Sequence, residues 1–427
     1  MSIKLGLVGT GTVGGGCLEI ISKHAQDFKR HYGIDLELVS VCSKDSDAAT
    51  AYGYSDCFTA DFNDVINNPE VQIVIELIGG TTAAKQVVVG ALNAGKHVVT
   101  ANKALMARYG EEIMALAKEK NLDIAFEASV GGGIPIIGPL KHSLTSNEIT
   151  SVMGIVNGTT NYMLTRMAEE GMSYNEVLKC AQELGYAEAD PTADVDGLDA
   201  AAKIAILASI AFNSRVTIDD VHAEGIRNIS PIDLQAAQDM GYCVKLLAIA
   251  HRVKGGIDVR VHPTMLDKKH PLASVNGVYN AIYVIGDAVG ETMFFGEGAG
   301  SGAAASAVMG DVIEVARHIE LGSGPIVGCT CTDSLKFVPI EELVTKYYIR
   351  FAVVDRPGVL ASIAGIFAGQ GVSVHSVVQR GADEDGNANL SYVTHAASEK
   401  SIRAALKEIN ELENVLVSSP TLIRVEG

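Results

Sequence analysis

The residues with the clearest chemical potential lie in an acidic stretch between residues 185 and 203. Asp199 and Lys203 are spaced i to i+4 and are the only charges in an otherwise apolar run of helical length, residues 199–212. We expect this run to form a buried helix with both side chains on one face. The stretch also concentrates carboxylates around a proline and a glycine: Glu188, Asp190, Asp194, Asp196 and Asp199.

A lysine at the entrance of a buried helix is costly unless its charge is paired. An isolated i,i+4 pair is more often a structural ion pair than a functional one. The dense carboxylates beside Lys203 favour a different interpretation, a pocket that binds a cationic amine next to a proton donor or acceptor. The sequence therefore predicts a site for proton transfer on an amine-bearing substrate.

A glycine-rich turn follows the first predicted strand, residues 3–8, and precedes a helix predicted to begin near Val13. The turn has the Gly-x-Gly-x-x-Gly pattern. Its first glycine makes the turn, the second lets the backbone approach a pyrophosphate, and the third lets the helix pack on the strand. We expect a dinucleotide cofactor to contact Gly9, Thr10, Gly11, Thr12, Val13 and Gly14.

The next predicted strand covers residues 34–42 and is followed by Ser43 and Lys44 rather than by an acidic residue. An NAD-selective site uses a carboxylate there to bind the ribose hydroxyls. Ser43 and Lys44 suit a 2′-phosphate instead, so the sequence favours NADP, while Asp45 keeps NAD open as the alternative.

Two further strands, predicted over residues 71–78 and 97–100, lead to Gly79 and to Thr100 and Lys103, and a helix is predicted over residues 110–120. Open parallel sheets bind ligands at the carboxyl ends of their strands, so we expect these three residues near the cofactor, with Lys103 close to its reacting end. A lysine that merely caps a strand is an equally simple interpretation. Gly298, in a glycine-rich helix entrance, is a further cofactor contact or a site of close helix packing.

Composition and charge limit the classes of protein. The 427 residues are 48% hydrophobic, which predicts two to three domains. The net charge of -18 and the lack of a basic run exclude nucleic acid and anionic membranes as partners. The chain begins with a strand rather than a leader segment, and its cysteines are scattered apart from Cys329 and Cys331, a spacing that is more often incidental than metal-binding. We expect a reduced cytoplasmic enzyme.

The predicted fold class is α/β, with a Rossmann-type dinucleotide-binding domain, an α+β catalytic and dimerisation domain, and a C-terminal βαββαβ domain. The first covers residues 1–134 with a returning helix near 298–320. The second covers residues 135–297, a linker spans 321–345, and the third domain covers 346–427.

Several motifs together resemble the homoserine dehydrogenase family, and the similarity covers almost the whole chain. The resemblance implies NAD(P)-dependent interconversion of aspartate-4-semialdehyde and homoserine, on the route to threonine, methionine and isoleucine. No kinase-like segment precedes residue 1, so we expect a monofunctional enzyme. The motifs are Val74-Ile-Glu-Leu-Ile-Gly-Gly80, Thr100-Ala-Asn-Lys103, Val156-Asn-Gly-Thr-Thr-Asn-Tyr162, Gly185-Tyr-Ala-Glu188-Ala-Asp-Pro191 and Asp196-Gly-Leu-Asp199 with Lys203.

The resemblance also implies residue roles. Lys203 is the acid that protonates the new alkoxide, and Lys103 assists it near the nicotinamide. The residues implied to hold or shape the substrate are Glu188, Asp199, Asp194, Thr159 and Tyr186.

A sodium site of the same family corresponds to Glu127 and to the carbonyls of Val130, Gly132 and Ile134. Carbonyl oxygens next to one carboxylate suit a hard monovalent cation, and a simple interdomain hinge is the alternative for this glycine-rich segment.

The C-terminal domain resembles the ACT domain, with its recognisable turn at residues 355–358. This implies feedback control by threonine, with the effector near Asp355, Gly358 and Val359. Because paired modules also build interfaces, a role in assembly alone is the alternative. We expect a homodimer or homotetramer.

Two other functions compete with this interpretation. One is a non-catalytic amino-acid sensor on a dehydrogenase fold, and the other is a different amino-acid dehydrogenase, such as one acting on aspartate. Retention of both Lys103 and Lys203 argues against the sensor.

Overall fold

A computed structural model describes residues 2–380 and 387–426 of the chain. The described residues form two structural units. The first unit draws on residues up to 156, residues 202–221 and residues 279–335. The second draws on residues 157–201, residues 222–278 and the chain from residue 336 onward. No helix in these described ranges has the length and apolar content needed to cross a bilayer.

The strands are short in the N-terminal third and long in the middle of the chain. They are β1 Ile3–Val8, β2 Leu36–Cys42, β3 Phe58–Thr59, β4 Ile73–Glu76, β5 His97–Thr100, β6 Ile124–Ala125, β7 Ile149–Ile155, β8 His222–Ala223, β9 Tyr242–Val253, β10 Gly256–Asp267, β11 Tyr279–Gly286, β12 Gly290–Glu297, β13 Val344–Val354, β14 Val374–Arg380, β15 Asn387–Thr394, β16 Ala397–Ser398 and β17 Thr421–Glu426.

The helices alternate with strands at both ends of the chain and cluster between β7 and β9. They are α1 Thr12–Tyr32, α2 Asp47–Ala51, α3 Phe62–Asn67, α4 Thr82–Asn93, α5 Lys103–Lys120, α6 Gly158–Glu170, α7 Tyr174–Glu183, α8 Thr192–Val195, α9 Leu198–Ala211, α10 Pro231–Asp239, α11 Ser301–Leu321, α12 Val359–Gly369 and α13 Glu399–Asn410.

The first unit contains a parallel sheet with the strand order β3-β2-β1-β4-β5-β6. This is the order of a Rossmann fold, in which ligands bind where the strand order reverses, at the carboxyl ends of β1 and β4. The sheet confirms the predicted dinucleotide-binding fold. The same unit holds an antiparallel sheet in which β11 pairs with both β7 and β12.

Helix α11 returns to the parallel sheet and packs beside α1. Val308 and Val312 of α11 share one buried core with Leu5, Leu7 and Leu18. The close approach of the two helices explains an unusual run of three glycines, because a Cβ atom on Gly16 would lie 2.7 Å from the Ser301 carbonyl oxygen. The third glycine of this run therefore serves helix packing rather than the cofactor turn.

Helix α9 is buried along most of its length, as its apolar sequence predicts, and only its first residue, Leu198, is exposed. Asp199 and Lys203 are only 7% and 8% exposed. Gly197 precedes the helix with a φ of 81°, and a Cβ atom there would lie 3.1 Å from the Val261 side chain. A glycine is needed at this entrance because both the left-handed backbone and the close approach exclude other residues.

The second unit has the strand order β9-β10-β17-β13-β15-β14, with β8 on β10 and β16 on β13. The elements β13-α12-β14-β15-α13-β17 have the predicted βαββαβ order. Phe351, Phe367 and Tyr392 pack ring against ring in the core of this module, with centroids 5.4–6.1 Å apart.

Two elements differ from the sequence interpretation. We predicted a helix over residues 110–120, whereas α5 begins at Lys103 because the Asn102 side chain accepts a hydrogen bond from the Leu105 amide at 3.0 Å. We did not predict β9, whose apolar run pairs with β10 over its whole length. Without alternation of polar residues, such a run does not distinguish a strand from a buried helix.

Candidate active site

The glycine turn after β1 has the geometry of a phosphate-binding loop. Gly9 has a φ of 103°, and a Cβ atom on Gly14 would lie 2.0 Å from the Gly9 carbonyl oxygen. A Cβ atom on Gly11 would meet no atom within 4 Å. The fold thus requires the first and third glycines, while the space above Gly11 is open for a ligand at the N-terminus of α1.

The adjoining residues of β1 and β2 meet at the same edge of the sheet. The Thr10 hydroxyl donates a hydrogen bond to the Ser43 hydroxyl at 2.7 Å. Ser43 is half-buried, and the neighbouring Lys44 is exposed. The structure therefore brings together Thr10 and Ser43 from two candidate cofactor segments, with a lysine beside them that reaches solvent.

The carboxyl ends of β4 and β5 are joined through a buried acid. Glu76 accepts hydrogen bonds from the Thr100 hydroxyl at 2.6 Å and from the Ile78 amide at 2.9 Å. Burial raises the pKa of Glu76. The Thr100 hydroxyl therefore donates its hydrogen to Glu76 rather than to a ligand. Gly79, on the adjoining loop, is exposed and has a φ of 70°.

Lys103 is placed by a side chain that we did not single out. The Asn102 amide donates a hydrogen bond to the Gly80 carbonyl oxygen at 2.6 Å and caps α5 through its oxygen. Asn102 therefore ties the loop after β4 to the helix start that carries Lys103. Lys103 is the first residue of α5 and is exposed.

Gly298 lies in a segment connected to the glycine turn. A Cβ atom on Gly298 would lie 1.9 Å from the Asn280 amide nitrogen, so packing alone requires glycine there. Three residues later, the Ser301 hydroxyl donates to the Thr12 carbonyl oxygen at 2.8 Å. The N-termini of α1 and α11 are therefore neighbours, and both interpretations of Gly298 remain compatible with its position.

In the second unit, Asn157 organises the acidic cluster. Its amide nitrogen donates to Asp194 at 2.7 Å and to Asp199 at 2.9 Å. Its oxygen accepts a hydrogen bond from the Thr160 amide at 2.9 Å as the N-cap of α6. From the sequence, Asn157 was identified only as part of the family motif of residues 156–162. The Asn-Gly-Thr-Thr sequence signals the cap, but nothing local to it signals the two carboxylates.

The remaining substrate candidates lie on the chain around α6 and α7. The Thr159 hydroxyl donates to the Tyr186 carbonyl oxygen at 2.6 Å. Tyr186 is 44% exposed and packs edge-on against Tyr162, with ring centroids 5.1 Å apart. Glu188 is exposed, and the Gln182 side chain holds its main-chain carbonyl at 3.1 Å. The structure therefore brings Thr159 and Tyr186 together and leaves the Glu188 side chain at the surface.

Lys203 belongs to the first unit. Its ammonium donates a hydrogen bond to the Val156 carbonyl oxygen at 2.6 Å. This carbonyl is part of the peptide bond that leads into Asn157. An ammonium group carries three protons, so a lysine at this position has the chemistry of a proton donor.

The Glu127 carboxylate differs from the expectation of an open cation ligand. It accepts hydrogen bonds from the amides of Ile136, Ile137 and Gly138 at 2.6–2.8 Å. The Glu127 amide in turn donates to Asp311 at 2.8 Å. The Glu127 carboxylate therefore already serves the backbone of residues 136–138. Within the described residues, no cluster of histidine, cysteine and acidic side chains has the makeup of a metal site.

The candidate effector residues lie at the start of α12. Gly358 has a φ of 92° and precedes the helix, and Asp355 accepts a hydrogen bond from the Gln379 amide at 3.2 Å. The Val359 side chain is buried in the core of its module. Asp355 and Gly358 are thus exposed on the turn, whereas only the main chain of Val359 is suited to contact a ligand.

Comparison with protein-family models gives three matches. Residues 9–127 match the homoserine dehydrogenase NAD-binding domain, residues 135–313 match homoserine dehydrogenase, and residues 347–414 match the ACT domain.

Known proteins of this family match the whole chain or most of it. The homoserine dehydrogenase of Synechocystis sp. is 47% identical over 434 residues, covering 100% of both chains. The crystal structure of a homoserine dehydrogenase from Thiobacillus denitrificans has a TM-score of 0.93 and 41% identity, covering 100% of this chain and 98% of that one. A hyperthermophilic archaeal homoserine dehydrogenase in complex with NADPH has a TM-score of 0.64 and 28% identity, covering 74% of this chain and 98% of that one. The chain therefore belongs to the homoserine dehydrogenase family, as an oxidoreductase with an NAD(P)-binding domain and a C-terminal ACT domain.

Proposed function

We propose that the chain reduces L-aspartate-4-semialdehyde to L-homoserine, with Lys203 as the proton donor. The observation that carries this proposal is the buried ammonium of Lys203, held at 2.6 Å by the carbonyl oxygen of Val156. Family membership favours this reaction over that of an aspartate dehydrogenase and over a non-catalytic sensor.

The reaction needs a hydride at the aldehyde carbon and a proton at the aldehyde oxygen. The nicotinamide cofactor, when bound, supplies the hydride. Lys203 stabilises the charge that develops on the oxygen and then transfers a proton to it. Val156 accepts one hydrogen of the ammonium and so fixes the direction of the others. General acid catalysis of this kind contributes on the order of 10²–10⁴ in rate.

Lys103 assists from the start of α5. The Asn102 cap fixes the first turn of the helix, and the exposed Lys103 side chain can extend from it. A second ammonium near the aldehyde oxygen adds to the stabilisation of the developing charge.

Substrate recognition rests on the acidic cluster. Asp194 and Asp199, which share the Asn157 amide, bind the substrate's ammonium group, and Asp199 also orients Lys203. Glu188, which is exposed, adds a further negative charge that attracts the substrate's ammonium group. Thr159 and Tyr186, joined by a hydrogen bond of 2.6 Å, shape the pocket.

The cofactor is NADP in preference to NAD. The exposed Lys44 next to the Thr10–Ser43 pair provides a cation for a 2′-phosphate. The archaeal relative that was solved with NADPH supports the same choice. The cofactor-binding residues are those of the glycine turn, Gly9, Thr10, Gly11, Thr12, Val13 and Gly14, together with Ser43, Lys44, Gly79, Thr100, Lys103 and Gly298.

A sodium ion fits the segment after β6. Val130, Gly132 and Ile134 are buried there, and main-chain carbonyl oxygens are donors that suit a hard monovalent cation. Because the Glu127 carboxylate is occupied by amides, Glu127 contributes its carbonyl oxygen.

The C-terminal domain provides feedback control by threonine through Asp355, Gly358 and the main chain of Val359.

The functional domains of the chain keep the predicted boundaries: 1–134 with 298–320, 135–297, 321–345 and 346–427. The enzyme functions as a homodimer or homotetramer in the cytoplasm, in agreement with its free cysteines.

One assay tests the activity and its control. NADPH absorbance is followed with aspartate semialdehyde, then separately with the oxo-acid of aspartate and ammonia, and then with the semialdehyde and added threonine. Oxidation of NADPH with the semialdehyde and inhibition by threonine are expected. Turnover only with the oxo-acid and ammonia would indicate an aspartate dehydrogenase, and no turnover with either would indicate a sensor.

A further inference from the structure

A pair of cysteines in the first unit lies away from the proposed chemistry. Cys329 and Cys331 follow α11, and Cys329 is exposed. Together with Arg215 and Lys141 they line a small cavity of about 30 Å³ that opens to solvent. Ser209, in the last turn of α9, and Val216, beyond the end of that helix, line the same cavity.

The sulfur of Cys329 is surrounded by hydrogen-bond donors. The Arg215 guanidinium donates a hydrogen bond to it at 3.7 Å, and Lys141 and Cys331 line the same cavity. These groups, first the Cys331 thiol and then its amide and the Arg215 and Lys141 charges, outweigh burial and lower the pKa of Cys329 to about 5. Donors of this kind stabilise a thiolate in preference to a thiol.

Cys331 has the opposite character. The neighbouring Cys329 sulfur and burial both raise the pKa of Cys331. The Cys331 thiol donates a hydrogen bond to the Ser209 carbonyl oxygen at 3.4 Å. Because a thiol has one proton, it can donate to that oxygen or to the Cys329 sulfur, but not to both at once. The two residues therefore form one thiolate and one protonated thiol, a nucleophile with a neighbour that can react second.

We propose that Cys329 and Cys331 form a peroxide-reactive site, with Cys329 as the attacking thiolate and Cys331 as the resolving thiol. The co-reactant is hydrogen peroxide or an alkyl hydroperoxide. A site of this type needs a stabilised thiolate that solvent can reach and a second cysteine next to it.

The chemistry balances in two steps. The Cys329 thiolate attacks one peroxide oxygen, the O–O bond breaks, and the departing hydroxide or alkoxide takes a proton from solvent. Cys329 is thereby oxidised by two electrons to a sulfenic acid. Cys331 then loses its proton to solvent and attacks the Cys329 sulfur, the S–O bond breaks, and a disulfide and water form.

The first step also prepares the second. While Cys329 is a thiolate, its charge keeps Cys331 protonated. A sulfenic acid is neutral, so this cause disappears and Cys331 becomes more acidic. Charged groups that face the pair are Arg215 and Lys141, and Lys118 and Asp123 line the adjoining cavity beside Cys329.

The test uses the full-length protein at pH 6, with Cys57 of the same chain as the internal control, since burial raises the pKa of Cys57. At this pH, Cys329 should have about 300 times more thiolate than an ordinary thiol. Lower intrinsic nucleophilicity removes most of that gain, so a rate advantage of about tenfold remains. We expect peroxide to remove two hydrogen atoms from the tryptic peptide with both cysteines, as measured by mass spectrometry.

Variants separate the two roles. Cys331→Ser should accumulate a sulfenic acid at residue 329 that dimedone captures, whereas Cys329→Ser should give neither product. Arg215→Gln should slow the oxidation at pH 6. If that variant fails to fold, alkylation of wild-type Cys329 by iodoacetamide over pH 4–9 gives the same information, with a midpoint expected near pH 5, the pKa of Cys329. Oxidation of Cys329 no faster than Cys57, or no dimedone adduct in Cys331→Ser, would overturn the proposal.

Discussion

The ammonium of Lys203 donates a hydrogen bond to the main-chain carbonyl oxygen of Val156 at a distance of 2.6 Å. The next residue, Asn157, donates its side-chain amide to Asp194 and Asp199. One peptide bond thus connects the acceptor that fixes the lysine to the donor that fixes two carboxylates.

The role of Asn157 can be tested with the variant Asn157→Asp. Aspartate preserves the oxygen that caps α6 but replaces the amide donor with a third carboxylate beside Asp194 and Asp199. We expect the KM for aspartate semialdehyde to rise about tenfold or more, since a charge-assisted hydrogen bond is worth about 1.5–3 kcal/mol. Thermal unfolding serves as the control: the cap is kept but the three carboxylates repel each other and lower Tm, so KM is measured at a temperature where the variant is folded. A wild-type KM would show that the bridge does not organise the substrate site.

The NADP preference predicts a specific effect of Lys44→Ala. Loss of this exposed cation should raise the KM for NADPH about tenfold, in line with the loss of a hydrogen bond to a charged phosphate, and leave the KM for NADH nearly unchanged. Asp45→Asn is the matched control on the next residue, and it should not weaken NADPH binding. Equal effects of Lys44→Ala on both cofactors would contradict the proposed 2′-phosphate contact.

The glycines of α1 and α11 provide a test of helix packing. A Cβ atom on Gly16 would lie 2.7 Å from the Ser301 carbonyl oxygen, whereas one on Gly302 would meet nothing within 4 Å. Gly16→Ala should lower the free energy of unfolding by about 1–3 kcal/mol through overpacking. Gly302→Ala should raise it by about 0.5–1 kcal/mol, because alanine favours a helix. Urea unfolding measures both, and equal effects would show that the two helices can separate at Gly16 without loss.

Lys245 predicts a pH dependence of stability. This buried residue of β9 donates hydrogen bonds to Asn161, Asn276 and the Val275 carbonyl oxygen. Burial lowers the pKa of Lys245 from 10.5 to about 8. Between these values the unfolded chain holds the proton and the folded chain does not, so stability rises with pH in this window.

The comparison is between the wild type and Lys245→Met, because the other titrating groups are common to both. The free energy of unfolding of the wild type should increase relative to the variant by about 3 kcal/mol between pH 8 and 10.5. Urea unfolding at several pH values gives the difference. A constant difference across this range would mean that Lys245 remains charged when the chain is folded.

Local sequence patterns predicted the cofactor fold well because each was self-contained. The glycine turn, the strand before it and the helix after it lie within the first 32 residues, and the strand order of the sheet agrees with them. The βαββαβ module was predictable for the same reason. The start of α5 at Lys103 was not predicted, because it depends on a single capping side chain, Asn102. The Asn102 amide also donates a hydrogen bond to the Gly80 carbonyl oxygen on a loop that is distant in the sequence.

Long-range partners account for the rest of the differences. Asn157 and Asp199 are 42 residues apart in the sequence, and only the fold brings their side chains to 2.9 Å. In the same way, the Glu127 carboxylate is occupied by amides that lie nine to eleven residues further along the chain. Residue type alone indicates that a carboxylate is available for a ligand, but it does not show which backbone groups already use it.

The kinetics of Lys203→Met test the account most directly. NADPH oxidation with aspartate semialdehyde is measured for the wild type, for this variant and for Lys245→Met, a control that also removes a buried lysine. The account predicts that Lys203→Met lowers kcat by about 10²–10⁴ with a nearly unchanged KM, since only the proton donor is lost. Lys245→Met should keep a near-normal kcat at a pH where it is folded. A near-normal kcat for Lys203→Met would contradict the central claim that this ammonium protonates the product.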